Sequence, residues 1–394
     1  MDDKPILWEK FGREATVKCC GDCVIKTYQP RYFRFNEIYG RRGEAFYLQE
    51  YPSSYFPRLL ESHDGFIVMP NYGDIVGVSH KEQQLKQNGL DYLELVRWAD
   101  GLRKELYRLQ LVHRDINPAN ILYNKIHNKY TLIDFGWMIK KGEPNGRNTY
   151  HRKLNPYAKS DNEALDKITI NAIQILLSRI GSEGYRDGSS VKKGWTYHPI
   201  PFEEFKAPVH KTAAIGEYQD VLNLIGLQNK SSLNILDIGC SVGYFSFQLA
   251  KLGHLITGIE ADSHAWEVAE AIRIFKGMDN INFINAKLNS EVISSLDTHF
   301  DLIIMLNVHM WVHKQLGDEK TRKLMMELSQ KTKYIIFQTA GAESGGKYRI
   351  MELKDVATIK SYLESCGFVN VVNFKSTTVH GGVRHMFSGV GRLQ

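Results

Sequence analysis

Apolar and polar positions follow a helical period in several parts of the first half of the chain. Over residues 91–110 the apolar side chains recur every three or four positions and form one stripe, which predicts an amphipathic helix. A second helix is predicted at about 161–180, starting at Ser160 or Asp161. It is apolar on most sides, so we expect it deep in a core. A shorter helix is predicted at about 43–51.

The strand pattern differs between the two halves of the chain. Residues 1–70 contain short strands separated by turn residues. From residue 233 onward, short apolar strands alternate with helical segments, which is typical of an α/β doubly wound, Rossmann-like sheet. The predicted fold class is therefore multidomain, with an α+β region followed by an α/β region. The predicted divisions are 1–180, a linker or aromatic lid segment at 181–212, and 213–394.

Length and composition set the broad class of the protein. A chain of 394 residues is long enough for two or three domains, and 43% hydrophobic with 24% charged residues is typical of a globular protein. The net charge of +6 is spread along the chain, which suits anionic ligands and gives no clear indication of nucleic-acid binding. The longest strongly apolar stretch, 168–177, is half the length of a membrane span.

The N-terminus and the cysteines predict the compartment. "MDDKPILWEKF" has acidic residues where a signal peptide would be basic, so we expect a cytoplasmic protein, with peripheral membrane association left open. The cluster "CCGDC" at 19–23 has two interpretations, a metal site or a hairpin turning at Gly21 and Asp22. The hairpin is favoured because no second Cys/His pair lies at a matching distance. Unpaired cysteines suit a reducing compartment.

Two short segments in the first half indicate phosphoryl transfer. This chemistry needs metal ions on the phosphates, a cation beside them and a carboxylate that orients the attacking hydroxyl. "HRDINPAN" at 113–120 and "LIDFG" at 132–136 carry these residue types, and residues 1–180 resemble the eukaryotic-type protein kinase superfamily. The resemblance implies a bilobal fold that binds ATP and Mg²⁺.

The same resemblance implies a role for individual residues. Asp115 would be the catalytic carboxylate, and Asn120 with Asp134 would hold Mg²⁺. Lys26 would contact the α/β-phosphates. The other implied residues are Glu44 as the partner of Lys26 (Glu50 is the fallback), Met69 in the segment on which adenine lies, Gly12 in a reduced phosphate loop, and Asp161 as a brace for the catalytic loop.

Departures from the kinase pattern are also present. The phosphate loop keeps one glycine, and no APE-like element follows Gly136. Position 117 is Asn, where protein-serine kinases usually have Lys. The lobe after residue 180 is almost absent. These features predict a compact, atypical kinase for a glycan or small-molecule acceptor rather than a protein, with an inactive pseudokinase as the other interpretation.

The segment "LNILDIGCSVGYF" at 233–245 indicates a second cofactor site. Asp237 and Gly239 end a predicted strand, Gly243 begins a helix, and glycines let the backbone approach a cofactor closely. The spacing D-x-G-x-x-x-G differs from the G-x-G-x-x-G of dinucleotide sites. It resembles motif I of class I S-adenosylmethionine-dependent methyltransferases.

This second resemblance implies further residues. Glu260 ends the next strand, where the family has an acidic residue for the ribose hydroxyls, and Asn285 takes the place of an aspartate near adenine. The methyl acceptor would lie after the fourth strand, where Asn307, His309, Trp311 and His313 are found. His309 and His313 are the predicted general bases. The alternative for His313 and Trp311 is that they cap and pack the following helix.

Two points about the whole chain stay open at this stage. The aromatic segment "GWTYHPIPFEEF" at 194–205 would be a lid over the acceptor or an arm packed on the methyltransferase surface. The pairing of domains is similar to that of the bifunctional kinase–methyltransferases that terminate bacterial O-antigen polysaccharides, which we expect to have the opposite domain order. The resemblance implies phosphorylation and then methylation of a glycan precursor. A protein kinase or a pseudokinase fused to a methyltransferase is the alternative.

Overall fold

The computed structural model describes residues 6, 8–11, 15–30, 32, 42–77, 85, 89–142, 158–181, 193–209, 214–226, 231–296, 298–340, 350, 352–353, 355–379 and 382–393. Gly12, predicted as part of the phosphate loop, lies outside these residues. The chain divides into two compact units, Met1–Leu176 and Leu177–Gln394.

An antiparallel sheet forms the first part of the first unit. Its strands, in the described residues, lie in the order β1-β2-β3-β5-β4. They are β1 (Trp8–Phe11), β2 (Ala15–Cys19), β3 (Cys23–Tyr28), β4 (Glu61–His63) and β5 (Phe66–Pro70), with helix α1 (Glu44–Glu50) between β3 and β4. The β2–β3 hairpin confirms the predicted turn, because Cys20 N–H donates to Cys23 O at 2.9 Å and Gly21 has φ +76°. A positive φ at this turn suits glycine, which has no Cβ.

Helices and short hairpins form the rest of this unit. The elements are β6 (Asp74–Ile75), α2 (Tyr92–Leu109), β7 (Leu111–Val112), β8 (Ile121–Asn124), β9 (Lys129–Leu132), β10 (Ile139–Lys140) and α3 (Asp161–Arg179). Helix α2 begins where the Asp91 carboxylate accepts the Glu94 N–H. Helix α3 begins after Ser160, whose Oγ accepts the Glu163 N–H at 3.1 Å. The residues that α3 buries confirm the predicted deep position, and they include Ala164, Ile168 and Ala172.

The second unit is built on one seven-stranded sheet, and helices separate its parallel strands along the chain. Among the described residues its strand order is β13-β12-β11-β14-β15-β17-β16. The strands are β11 (Asn234–Ile238), β12 (Leu255–Glu260), β13 (Ile281–Asn285), β14 (Phe300–Leu306), β15 (Thr332–Ala340), β16 (Val369–Val379) and β17 (Gly382–Val390). The helices are α4 (Ala214–Ile225), α5 (Tyr244–Lys251), α6 (Ser263–Lys276), α7 (Ser290–Ser295), α8 (His309–Leu316), α9 (Asp318–Lys331) and α10 (Val356–Ser365).

The strand directions confirm the doubly wound interpretation and extend it. Strands β11 to β15 are parallel, and the chain order reverses between β11 and β14. Strands β16 and β17 are antiparallel additions at one edge, which the sequence pattern did not predict. The carboxyl ends of the parallel strands lie at one edge of the sheet, where ligands of such sheets bind. Among the described residues no helix is both long and apolar enough to cross a bilayer.

The aromatic segment packs on helices of the second unit. Phe202 stacks edge-on against Phe247 at 5.3 Å between ring centroids, and the Lys251 ammonium lies 4.2 Å from the centre of the Phe202 ring. Phe205 is buried and contacts Phe275. This part of the segment is therefore an arm on the surface of α5 and α6, as the second of the two interpretations proposed.

Candidate active sites

An ion cluster lies at the centre of the first unit. Lys26 on β3 donates from Nζ to Glu44 Oε2 at 2.6 Å and to Asp134 Oδ1 at 2.8 Å. Burial alone would lower the pKa of Lys26, but the Asp134 and Glu44 carboxylates outweigh it and raise that pKa. The lysine is therefore held as a cation between two carboxylates that come from distant parts of the sequence. Glu50, the alternative partner, is exposed at the end of α1.

The Glu44 carboxylate is fixed by further contacts. Its Oε2 accepts the Tyr28 hydroxyl at 2.8 Å, and its Oε1 accepts the Phe135 N–H at 3.3 Å. The Glu44 N–H donates to the Tyr32 hydroxyl. Because Phe135 follows Asp134, the same glutamate positions the lysine and the aspartate. Charge-assisted hydrogen bonds of this kind are stronger than those between neutral groups.

The catalytic-loop segment is held by amides. Asn120 donates from Nδ2 to Asp115 Oδ2 at 2.8 Å, and Asn117 donates from Nδ2 to Asp115 Oδ1 at 3.3 Å. The Asn117 Oδ1 accepts the Ala119 N–H, which caps the short 3₁₀ turn at Pro118–Asn120. Asn117, a departure from the kinase pattern, therefore orients the Asp115 carboxylate.

Asp161 joins helix α3 to the same segment. Its two carboxylate oxygens accept the His113 N–H at 2.6 Å and the Arg114 N–H at 2.9 Å. Arg114 has φ +72°, and Asp134 has φ +69°. Non-glycine residues are rarely found in this region and such conformations are concentrated at functional sites. The bracing contact expected of Asp161 is present in the structure.

Two oxygen ligands suited to Mg²⁺ lie on either side of the β8–β9 hairpin. Asn120 precedes β8 and Asp134 follows β9, and the Ile133 N–H donates to Asn120 O at 2.9 Å. Since Asn120 Nδ2 donates to Asp115, Oδ1 is the atom that Asn120 would offer to a metal ion. Magnesium commonly takes one or two protein oxygens together with substrate phosphates. The described part of the chain contains no group of three His, Cys, Asp or Glu side chains placed to hold a metal.

The predicted adenine-contacting residue lies on β5. Met69 is buried and pairs with Val24 of β3, two positions before Lys26 on its strand. The chain then leaves the sheet at Asn71, whose N–H donates to Asp22 O at 2.8 Å. Met69 is thus on the strand next to that of Lys26, and its contact with adenine stays a prediction.

The predicted cofactor loop of the second unit is tied to the sheet and to α5. Asp237 is buried at the end of β11, and its Oδ2 accepts the Ser246 hydroxyl at 2.6 Å. Burial raises the pKa of Asp237 to about 6. A Cβ at Gly239 would lie 2.3 Å from Val308 Cγ2, and one at Gly243 would lie 2.7 Å from the ring of Phe247. Only glycine fits at these two positions, and both have positive φ.

Glu260 closes the same loop. Its Oε2 accepts the Ser241 N–H at 2.7 Å and its Oε1 accepts the Asp262 N–H at 2.8 Å. Burial raises the pKa of Glu260 to about 7. Asn285, at the end of β13, donates from Nδ2 to the Glu260 carbonyl at 2.9 Å. The predicted ribose and adenine residues are therefore neighbours at the carboxyl edge of the sheet.

His309, predicted as a general base, lies in the core. Its side chain is 0% exposed, and its Nε2 shares a hydrogen bond with the Tyr362 hydroxyl at 2.7 Å. Burial lowers the pKa of His309 to about 3. An imidazole that is buried and hydrogen-bonded to Tyr362 does not reach an acceptor at the sheet edge, so the structure does not support the predicted role.

His313 lies one turn further along α8. Its Nε2 is 3.7 Å from Asp318 Oδ1, and its ring centroid is 6.3 Å from that of His309. Trp311 is partly buried and packs against the hydrophobic core. His313 therefore shares the side of the helix that carries His309, and its role as a base stays a prediction.

We expect acid to destabilise the second unit through His309. A histidine whose folded pKa is about 3 binds fewer protons than in the unfolded chain, so its contribution to stability is present above pH 6.5 and is lost as the pH falls toward 3. Between pH 7 and pH 5 the loss is about 2 kcal/mol. His309→Gln keeps a polar partner for Tyr362 without titrating, and should remove that share of the pH dependence in urea unfolding. An unchanged dependence in the variant would contradict the buried, neutral state.

Four polar side chains that the sequence analysis did not bring together meet at the carboxyl edge. Arg384 on β17 donates from Nη1 to Asn307 Oδ1 at 2.5 Å, and Asn307 donates from Nδ2 to Gln338 Oε1 at 2.6 Å. The Arg384 Nη1 also lies 3.5 Å from the Tyr197 hydroxyl. Asn307 was a candidate from its place after the fourth strand. Tyr197 belongs to the aromatic segment at 194–205, which one of the two interpretations placed over the acceptor. Gln338 and Arg384 were not candidates.

Comparisons with protein families agree with the two units. A model of the ABC1 atypical kinase-like domain matches residues 48–169. A methyltransferase-domain model matches residues 229–368. The chain therefore contains an atypical kinase-like domain followed by a methyltransferase domain.

Individual relatives cover limited parts of the chain. It is similar to the O-antigen chain terminator bifunctional methyltransferase/kinase WbdD of Escherichia coli, with 29% identity over 157 residues, which are 39% of this chain and 22% of that protein. A shorter similarity, 42% over 52 residues, is to the cell division cycle 7-related protein kinase of Homo sapiens and covers 12% of this chain and 9% of that one. A crystal structure of WbdD has a TM-score of 0.42 and 22% identity, covering 50% of this chain and 44% of the other. The chain spans about a fifth of the length of the bacterial relative that it matches.

Proposed function

We propose that this chain is a bifunctional enzyme that transfers a phosphoryl group from ATP and a methyl group from S-adenosylmethionine. The acceptor proposed for both steps is a glycan or a related surface-polymer precursor, phosphorylated first and methylated second. The order and the acceptor rest on the similarity to the O-antigen chain terminator, whose name joins the same two activities. A cytoplasmic location is part of the proposal.

The observation that carries the phosphoryl-transfer half is the contact of Lys26 with both Glu44 and Asp134. Phosphoryl transfer depends on positioned charges more than on covalent chemistry. A lysine held between a helix glutamate and a metal-binding aspartate supplies a cation at the place where phosphates and metal would meet. In this proposal Asp134 and Asn120 hold Mg²⁺, and Asp115 accepts or orients the proton of the attacking hydroxyl.

The methyl-transfer half is supported by the loop around Gly239, Gly243 and Glu260. The two glycines have no room for a side chain, so backbone alone can line this part of the site. S-adenosylmethionine, when bound, supplies a methyl group attached to a positively charged sulfur. The sulfur keeps the bonding electron pair when the methyl group is transferred. In the proposal Glu260 accepts the ribose hydroxyls and Asn285 lies near adenine. Positioning of the two reactants then does most of the work.

Calorimetric titration of Mg²⁺-ATP into the full chain tests the first half. We expect binding that requires Mg²⁺ and that Asp134→Asn weakens by about 10–100-fold, since the variant loses a charged ligand. Asp64→Asn, an exposed carboxylate in a turn of the same unit, is the matched control and should bind as the wild type does. If the wild type did not bind Mg²⁺-ATP, the kinase half would be wrong and a methyltransferase with an inactive kinase-like module would remain.

A further inference from the structure

Glu44 stands at the very start of its helix. It is the first residue of α1, a helix of seven residues, and the residue before it is Gly43, which has φ +84° and no side chain to cap the helix. The first N–H groups of a helix have no partner within it, and a helix this short is marginal on its own. The position of the Glu44 carboxylate therefore depends on contacts from outside α1.

Tyr32 supplies the cap that Gly43 lacks. Its hydroxyl oxygen accepts the Glu44 N–H at 2.7 Å, and the tyrosine is buried. The Tyr32 N–H donates to Gln29 O at 2.8 Å, so the chain turns directly after β3 and brings the ring back to the end of that strand. The hydroxyl thus fixes the first residue of α1 from a neighbouring segment of the chain.

Tyr28 holds the side chain of the same glutamate. It lies two positions after Lys26 on β3, so both side chains are on one face of the strand. Its hydroxyl donates to Glu44 Oε2 at 2.8 Å, and the same oxygen accepts Lys26 Nζ at 2.6 Å. Burial, and after it the Glu44 carboxylate, raises the pKa of Tyr28, so the hydroxyl keeps the proton that it donates.

The two tyrosines form one unit. Their rings are stacked, with centroids 4.1 Å apart and planes at 15° to each other. The Lys26 ammonium lies 5.6 Å from the centre of the Tyr28 ring, which is within the range of a cation–π attraction. One stacked pair therefore contacts the N–H of Glu44, the carboxylate of Glu44 and the cation that this carboxylate binds.

We infer that Tyr28 and Tyr32 are positioning residues for phosphoryl transfer and that they act through Glu44. The inference rests on the proposed function and adds two residues to its first half. In protein kinases the lysine–glutamate ion pair must be in place, and the position of the glutamate helix controls it. Here the ion pair and both hydroxyls that hold it lie within residues 26–44, so one short stretch of chain assembles this part of the site.

A double-mutant cycle with Glu44 tests whether Tyr28 acts through it. Calorimetric titration of Mg²⁺-ATP into the full chain gives the affinities of the wild type, Tyr28→Phe, Glu44→Ala and the double variant. Phenylalanine keeps the stacked ring and loses only the hydroxyl. We expect Tyr28→Phe to weaken Mg²⁺-ATP binding by about 3–10-fold on its own, and by less than about twofold when Glu44 is already alanine. In that background the hydroxyl has no carboxylate to hold.

Tyr32→Phe is the second variant, and it gives an independent test if Tyr28→Phe does not fold. It removes the acceptor of the Glu44 N–H, and we expect a loss of about 2–5-fold that is likewise reduced in the Glu44→Ala background. Tyr51→Phe is the matched control, because Tyr51 lies at the other end of α1 and contacts Tyr47 through its ring. This variant should bind Mg²⁺-ATP as the wild type does. Thermal unfolding shows which variants are folded.

Losses of the same size with and without Glu44 would overturn the inference, since the tyrosines would then act on the nucleotide directly or on the fold alone. Unchanged Mg²⁺-ATP binding in folded Tyr28→Phe and Tyr32→Phe would also contradict it. In both cases, binding by the wild type would leave the proposed kinase activity standing without these two residues. If the wild type did not bind Mg²⁺-ATP, the proposed phosphoryl transfer would fail, and the inference with it.

Discussion

Replacing Asp115 by asparagine is expected to lower phosphoryl transfer by about 10²–10⁴-fold, the range that a positioned acid or base contributes. The same variant should methylate an acceptor that already carries phosphate at the wild-type rate. Asparagine has nearly the shape of aspartate, and its one amide oxygen can still accept from Asn117 or Asn120, whose Nδ2 groups hold the two native oxygens at 3.3 and 2.8 Å. The loss would therefore reflect the missing carboxylate rather than a disordered loop.

Phosphate transfer and methyl transfer are measured separately for this variant, with labelled ATP and with labelled methyl donor. Asn117→Ala is the matched comparison, because it removes one orienting amide and leaves the Asp115 charge. We expect a smaller loss from it, mainly in the rate of transfer. Loss of both activities in Asp115→Asn would mean that the two steps are not independent.

Replacing Glu260 by alanine is expected to weaken binding of S-adenosylhomocysteine by about 10²-fold or more. The carboxylate accepts two backbone N–H groups, those of Ser241 and Asp262, and is the proposed ligand of the ribose hydroxyls. Hydrogen bonds to a charged group contribute about 1.5–3 kcal/mol each, and loss of two such bonds also releases the loop that contains Gly239 and Gly243. Binding of Mg²⁺-ATP should not change.

Glu260→Gln separates two contributions of Glu260 to cofactor affinity, the hydrogen bonds that hold the loop and the negative charge of the carboxylate. The amide keeps one oxygen acceptor in the same place, so it should retain part of the affinity that alanine loses. Calorimetric titration of S-adenosylhomocysteine into the three proteins at pH 8 measures both effects, since at that pH the wild-type carboxyl, with a pKa of about 7, is mostly ionised. Equal affinity in wild type and alanine variant would show that Glu260 has no part in cofactor binding.

The sequence predicted the parts of the two sites whose residues lie in short contiguous segments of the chain. Asp115, Asn120 and Asp134 lie in two short segments on either side of one hairpin, and the resemblance of these segments to kinase motifs located them. Lys26 and Glu44 also lie close in sequence, and the structure joins them at 2.6 Å. The glycines of the second loop were found for the same reason, because a strand that turns sharply into a helix needs residues without a Cβ.

Contacts between strands that are distant in sequence could not be predicted from the pattern of apolar and polar residues. Arg384 meets Asn307 across 77 positions, through an antiparallel pair of strands added to a parallel sheet. An isolated arginine in an alternating strand does not indicate which edge it will reach. His309 was misassigned for a related reason. A histidine just after a strand suggests chemistry, but whether it points to the edge or into the core depends on the packing of α10, which supplies Tyr362.

The position of Lys26 also affects how nucleotide would enter the site. With Nζ held by Glu44 and Asp134, the positive charge that ATP would need is already balanced by two acids. A nucleotide arriving without metal would meet the negative Asp134 before it could use the lysine. A divalent cation that binds Asp134 first would remove this repulsion and release one contact of the ammonium. If the first unit binds nucleotide as proposed, the counter-ions of Lys26 would therefore favour the metal–nucleotide complex over the bare nucleotide.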